Sequence, residues 1–307
     1  MRPIYLSSYE HGSLDGKIGR LYRTLEDCTL CPRKCGVDRL RGEEGYCRSG
    51  KELVVSSFGP HFGEEEPLVG TGGSGTIFLT NCNLLCIYCQ NYEISHLGHG
   101  TPESEERVAE YMISLQKRGC HNINFVTPTH FTPQLVKAIE IAIPKGLNVP
   151  VVWNCGGYEN VETIGLLDGI VDIYMPDIKY GSVDSASKYS GAPDYFERCK
   201  EAVREMHRQV GDLVIEDGVA ERGLLIRHLV LPNNAAGSRE VLKFIAEEIS
   251  KNTYINIMDQ YRPEYKANEH EELRRRPNLK EYKKVVDMAK ELGLERGETF
   301  RHGLWSW

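Results

Sequence analysis

GTIFLTNCNLLCIYCQN, residues 75–91, runs a short β-rich segment into three cysteines within eight positions, Cys82, Cys86 and Cys89, spaced C-x3-C-x2-C. A structural zinc site closes with four protein ligands and a disulfide takes two, so three thiolates on one loop call for another explanation. Soft thiolates select iron–sulfur clusters, copper(I) or zinc. A [4Fe–4S] cube held by three cysteines keeps one iron without a protein ligand, and an open metal position is what a catalytic site retains. The competing reading is a zinc site completed by a histidine such as His96 or His99.

Outward from this loop the chain alternates. Strands are predicted at 75–80, 122–127, 149–154, 170–178, 223–231 and 254–259. Between and after them helices are predicted at 101–119, 132–143, 160–168, 193–210, 238–250 and 278–293. Thr101 is expected to cap the first of these helices, with Pro102 in its first turn, and Ser238 to cap the fifth. Six successive strand–helix units imply an α/β fold with parallel strands in a curved sheet or partial barrel. Ligands in such folds meet the loops at the strand ends. Those ends carry the three cysteines, then Thr127 to His130, Asn154 to Gly157, Asp177 with Lys179, Arg227 with His228, and Gln260 to Arg262. Asp177 and Lys179 have a bland reading as a salt bridge, Arg227 as the partner of a core carboxylate, and His130 and His228 as structural side chains.

The whole chain has 307 residues, room for one large domain and a small appendage. A net charge of −7 and a pI near 5.9 offer no basic field for nucleic acid. The first residues lack the apolar run of a signal peptide and no segment has transmembrane length, which predicts a cytoplasmic protein with reduced thiols. Ten cysteines in that setting suggest metal. Cys28, Cys31, Cys35 and Cys47 form a second group, C-x2-C-x3-C-x11-C, sufficient to close a zinc site or saturate a second iron–sulfur cluster. Arg33, Lys34, Arg39 and Arg41 lie between these cysteines and offset thiolate charge. Cys120, Cys155 and Cys199 read as buried hydrophobes. The expected division is a Cys-rich lobe over 1–70, a barrel over 71–293 and a tail over 294–307.

An open iron invites a chelating amine and carboxylate, which S-adenosylmethionine (SAM) offers, and Lys179 and Asp177 are suited to holding those groups. With the aromatic Tyr88 directly before the last cysteine, the loop resembles that of the radical SAM superfamily. MPDIKY (175–180) resembles the Asp-x-Lys segment of the pyruvate formate-lyase activating enzyme, YSGAP (189–193) its following turn and LIRHLVLP (225–232) its fifth strand. Together with CPRKCGV (31–37), the chain is most similar to the PflX-type branch of those activating enzymes.

That resemblance implies a partial (β/α)6 TIM-type barrel with a [4Fe–4S] cluster on Cys82, Cys86 and Cys89 at the strand tips. It implies SAM held by Tyr88, Thr127, Thr129, Asn154, Asp177, Lys179 and Arg227. TPTH stands where the superfamily has Gly-Gly-Glu, which puts Thr127 and Thr129 in that role, and NCGG replaces an Asp-Thr-Asn-Gly stretch at Asn154. The implied activity is reductive cleavage of SAM to a 5′-deoxyadenosyl radical for hydrogen abstraction. Its substrate would be a protein glycine, as in glycyl-radical enzyme activation, or a small metabolite, and its electron donor a flavodoxin or ferredoxin. The alternative is a non-catalytic iron–sulfur or zinc protein, an electron carrier or assembly partner.

Overall fold

The computed structural model describes residues 1–297 and 299. Among these, nine strands form one sheet: β1 (Leu53–His61), β2 (Ser74–Leu79), β3 (Thr101–Glu103), β4 (Ile123–Val126), β5 (Val151–Cys155), β6 (Ile173–Pro176), β7 (Val214–Glu216), β8 (Val219–Leu229) and β9 (Tyr254–Met258). β2, β4, β5, β6, β8 and β9 pair in that order and always in parallel, which gives the six-stranded half-barrel that the alternation predicts. The two-residue period of each strand sorts the side chains. Ile77, Phe125, Trp153, Tyr174, Leu224, Ile226 and Ile255 point outward into the main core under the helices. Val152, Ile173, Met175, Leu225 and Tyr254 belong to a separate apolar cluster on the inner face. Leu68, from the segment between β1 and β2, plugs that inner cluster.

Two residues further along four of these strands the inner face turns polar. Val152 is followed by Asn154, Met175 by Asp177, Leu225 by Arg227 and Tyr254 by Asn256. Register keeps the last three on one face, since Asp177 bridges Arg227 and Arg227 pairs with Asn256. The lumen thus has an apolar floor and a polar layer above it. That layering positions the site.

Three features differ from the sequence reading. β1 and β3 extend the sheet antiparallel to β2, and Thr101 and Pro102 belong to β3 rather than to a helix entry. Proline is tolerated on such an edge, and the helix starts at Glu105 with the Ser104 hydroxyl accepting the Arg107 N–H. Ser238 does not cap its helix: Gly237 occupies that position at φ +64°, and the Ser238 hydroxyl bonds His228 Nε2 at 2.8 Å. Residues 1–70 share the main core of the barrel through Tyr5, Leu14, Leu21, Leu25 and Leu30, so they do not stand apart as a lobe with a core of their own. The expected 294–307 tail falls outside the described residues except for 294–297 and 299. No helix among the described residues is long and apolar enough to cross a membrane.

Candidate active site at the strand tips

The three-cysteine loop leaves β2 through Asn81 and turns at Leu85, both in the left-handed region (φ +64° and +53°). It is pinned from several sides. Ile87 N–H donates to the Tyr189 carbonyl and its own carbonyl accepts from Lys266 N–H, both at 2.9 Å. Arg33, from within the upstream cysteine group, donates to the carbonyls of Asn83 (3.0 Å) and Ser190 (2.8 Å). Its guanidinium also lies over the Tyr46 ring at 3.7 Å. This basic residue acts as a latch between the N-terminal segment and the loop, beyond the charge offset expected of it. Arg39, unlike the half-buried Arg33, is fully buried and donates to the carbonyls of Gly50 and His130.

Every sulfur of the triad accepts a hydrogen bond. Leu84 N–H reaches Cys82 Sγ at 3.3 Å, and the hydroxyls of Ser190 and Ser95 reach Cys86 Sγ and Cys89 Sγ at 3.1 Å each. Burial pushes the Cys82 thiol up to about 12, with the neighbouring Cys86 charge adding to the rise and the backbone N–H groups of Leu85 and Leu84 opposing it. Burial also raises Cys89, against the pull of the Ser95 hydroxyl. Among the described residues no three His, Cys, Asp or Glu side chains gather as ligands of a single ion. A cubane asks for something else, because each thiolate binds a different iron. The donor set fits such a cluster: three sulfurs on one loop, each placed to accept. His96 turns its Nε2 to the Cys86 carbonyl at 3.0 Å instead of joining the sulfurs as a zinc ligand.

Beside the triad lies a charge network. Lys179 Nζ donates to Asp177 Oδ2 at 2.6 Å, Arg227 Nε to Asp177 Oδ1 at 2.7 Å, and Arg227 Nη2 to Asn154 Oδ1 at 2.8 Å. Burial alone would push the Asp177 carboxyl up, but Arg227 and Lys179 overcome it and hold the group at about 2. Burial likewise pulls Lys179 down, and the charges of Asp177 and Cys86 outweigh it, keeping the ammonium protonated. Tyr195, the first residue of the helix Tyr195–Val210, ties these tips together. Its hydroxyl lies 2.9 Å from the carbonyls of Gly156 and Asp177 and accepts the Lys179 N–H at 2.8 Å. Gly157 is required here: at φ +75° a methyl group would strike the Asp177 carbonyl and sit 2.9 Å from Cys199 Sγ.

Two carboxylates that the sequence reading missed reach this network from the segment after β1. Glu64 and Glu65 lie 3.6 and 3.9 Å from Arg227 Nη1, and Glu65 also accepts from Asn256 at 2.9 Å. Nothing in GEEEP (63–67) announces this, because its place beside Arg227 depends on the loop crossing the lumen. Glu65 Oε2 and both amide atoms of Asn124, which pairs with Val152, are buried without a hydrogen-bond partner among the described residues.

The remaining expected residues divide. Thr127 follows β4 at φ +60°, strained for a β-branched residue, where the superfamily places glycine; its N–H donates to the Asn154 carbonyl at 2.8 Å. The Thr129 hydroxyl is instead turned into the interior, donating to Glu159 at 2.6 Å. Burial holds that Glu159 carboxyl up at about 7. Tyr88 is buried edge-on to Tyr180, Tyr189 and Tyr261, with centroids 6.2, 6.4 and 5.8 Å away. His130 and His228 are buried, hydrogen-bonded to the Thr80 and Ile178 carbonyls, and pushed down by burial to about 3 and 4. Both are structural.

In the upstream group, Cys28 N–H donates to Val37 and Gly36 N–H to Cys28, folding the segment back on itself. Cys31 and Cys47 are raised mainly by burial, and each also feels the charge of Cys28. Cys35 Sγ accepts Tyr46 N–H at 3.3 Å.

The profile of the radical SAM superfamily matches residues 76–216, the stretch from β2 through β7 that holds the triad, Asp177 and Lys179. Residues 76–216 form a radical SAM superfamily domain. An uncharacterized protein of Methanocaldococcus jannaschii is 33% identical over 290 residues, covering 92% of this chain and 80% of its own length. A second uncharacterized protein of that organism is 23% identical over 299 residues, covering 90% of this chain and 81% of its own. Among solved structures, a radical SAM methyltransferase from Sphaerobacter thermophilus superposes with a TM-score of 0.50 at 12% identity. That match covers 72% of this chain and 65% of the methyltransferase chain, a likeness of fold. Membership of the radical SAM superfamily implies an enzyme with a [4Fe–4S] cluster and SAM, and does not favour the carrier reading.

Proposed function

We propose that this radical SAM protein is related to the pyruvate formate-lyase activating enzymes, in their PflX-type branch, and abstracts hydrogen from a protein glycine or a small metabolite. When bound, the cluster supplies the electron that cleaves SAM to a 5′-deoxyadenosyl radical, and a flavodoxin or ferredoxin in the cytoplasm is the proposed source of that electron. The observation that carries the reading is the placement of the Asp177–Lys179–Arg227–Asn154 network directly beside the triad.

In this reading Cys82, Cys86 and Cys89 would hold the cluster. The protonated Lys179 meets the SAM carboxylate with the donors that Asp177 leaves available, and Asp177 orients it. The backbone at Thr127 and Thr129 would meet the amine, with Thr127 at φ +60°. Asn154, fixed by Arg227, lies toward the ribose, and Tyr88 toward the adenine.

A Lys179→Ala protein should therefore keep its iron and bind SAM at least tenfold more weakly, since a charge-assisted contact is worth roughly 1.5–3 kcal/mol. Unchanged affinity by equilibrium dialysis would return the pair to a plain salt bridge.

We further propose that Cys28, Cys31, Cys35 and Cys47 bind a second centre; since no three such side chains gather around a single ion among the described residues, an iron–sulfur cluster is favoured over the zinc that the spacing also allows. Support comes from the folded-back segment and the mutual charges of Cys28, Cys31 and Cys47. Cys31→Ala should lower zinc or iron per chain by one centre and reduce thermal stability while the triad's iron stays. Metal content equal to wild type would remove the second centre.

A further inference from the structure

Two of the hydrogen bonds to the triad come from side-chain hydroxyls that lie outside the spacing of the cysteine motif. Ser95 follows the loop in the short helix Tyr92–Ser95 and donates to Cys89 Sγ. Ser190 ends the helix Val183–Ser190, about a hundred residues on, and donates to Cys86 Sγ. Both serines are buried, at 7% and 3% exposure, and the Ser190–Cys86 bond is fully buried. Behind Ser190 stands Tyr180, its hydroxyl 2.8 Å from Ser190 Oγ. With the Ser190 proton directed at sulfur, the serine oxygen is left to accept from the Tyr180 hydroxyl, which also meets Tyr88. The result is a chain from Tyr180 through Ser190 to Cys86. The backbone around Ser190 is also fixed, because its carbonyl accepts from Arg33 at 2.8 Å.

A neutral thiol is a weak acceptor, and a buried hydroxyl aimed at one gains little. The same hydroxyl aimed at a thiolate makes a charge-assisted bond. Hydrogen bonds to cluster sulfurs also tune the couple, because they stabilise the reduced form, which carries the extra negative charge. We propose that Ser95 and Ser190, the latter backed by Tyr180, are positioning residues that raise the reduction potential of the cluster held by Cys82, Cys86 and Cys89. The proposal rests on the reading of the triad as the cluster site. It gives a role to two motifs at once: MPDIKY presents Asp177 and Lys179 to the lumen and Tyr180 to the sulfur chain, and YSGAP supplies the serine.

The test is an EPR-monitored redox titration of the anaerobically reconstituted protein, read on the signal that changes when SAM is added. Wild type is compared with Ser95→Ala, Ser190→Ala, the double variant, Tyr180→Phe and the hydroxyl-retaining Ser95→Thr. At a fixed solution potential near the midpoint, each serine-to-alanine change should lower the ratio of reduced to oxidised cluster about tenfold, equivalent to about 59 mV for a one-electron couple. The double variant should show both shifts, Tyr180→Phe a smaller one of the same sign, and Ser95→Thr none. Should Ser190→Ala take up no iron, Ser95→Ala and Tyr180→Phe still read the same effect. Unshifted midpoints in those two proteins at full iron content would overturn the proposal. A wild-type protein that shows no SAM-responsive signal would instead overturn the reading of the triad on which the proposal rests.

Discussion

Replacing Cys82, Cys86 or Cys89 with alanine, one at a time, is expected to abolish the SAM-responsive iron–sulfur signal and bring SAM cleavage down to the background of a reaction without protein. The expectation is all-or-none because three thiolates already leave one iron open, and a triad reduced to two leaves two. Three nearby candidates for a replacement ligand are already committed or buried. His96 is committed to the Cys86 carbonyl, and Cys155 and Cys199 are buried behind the strand tips, Cys199 Sγ lying close to Gly157. Iron and sulfide analysis with anaerobic EPR decides the matter. Retention of the signal in any of the three variants would contradict the assignment of that cysteine.

Arg227→Ala is expected to destabilise the fold by about 3–5 kcal/mol, the effect of removing one partner from a buried charge network. Arg227 is 17% exposed at its side chain and faces Asp177, Glu64 and Glu65, so truncation leaves three carboxylates converging without their common cation. Burial already raises Glu64, opposed chiefly by Arg227, and the variant would raise it further. Arg227→Lys should fall between the two, because lysine keeps the charge but not the fork that reaches Asp177 and Asn154 together. The pH dependence carries the same signature. Asp177 is held at about 2, below its ordinary 3.8, so its contribution is complete above about pH 4 and is lost as the pH falls toward 2. Without Arg227 that loss should begin at higher pH. Urea melts of the three proteins across the acid range measure both effects, and a difference below 1 kcal/mol at neutral pH would contradict the network account.

The parts of this site that were legible in the sequence share a local cause. The triad is a spacing, and the six parallel strands are a pattern of apolar runs between capped helices. Asn154, Asp177 and Arg227 lie on the polar inner layer, two residues past the apolar floor positions Val152, Met175 and Leu225. The same two-residue step from Tyr254 would have found Asn256. What escaped depends on chain crossing. Glu64 and Glu65 reach Arg227 only because the segment after β1 passes through the lumen, and Ser190 reaches Cys86 from a helix beyond β6. Arg33 was legible as a charge between cysteines but not as the latch that holds Asn83 and Ser190. Strand-end position also does not say which way the Thr129 hydroxyl turns, and Glu159 captures it. Thr101 failed through a local ambiguity: Thr-Pro suits a helix entry and an edge strand equally, and pairing with β1 decides for the strand.

The central claim is that the triad and the Asp177–Lys179 pair form one site for reductive cleavage of SAM. The most direct measurement is anaerobic reconstitution of the wild-type protein with iron and sulfide, followed by addition of SAM and a low-potential reductant and quantification of 5′-deoxyadenosine and methionine. The account predicts both products in equal amounts, dependent on reductant and absent from the Cys86→Ala protein. A fully loaded wild-type protein that binds SAM and yields neither product would contradict it.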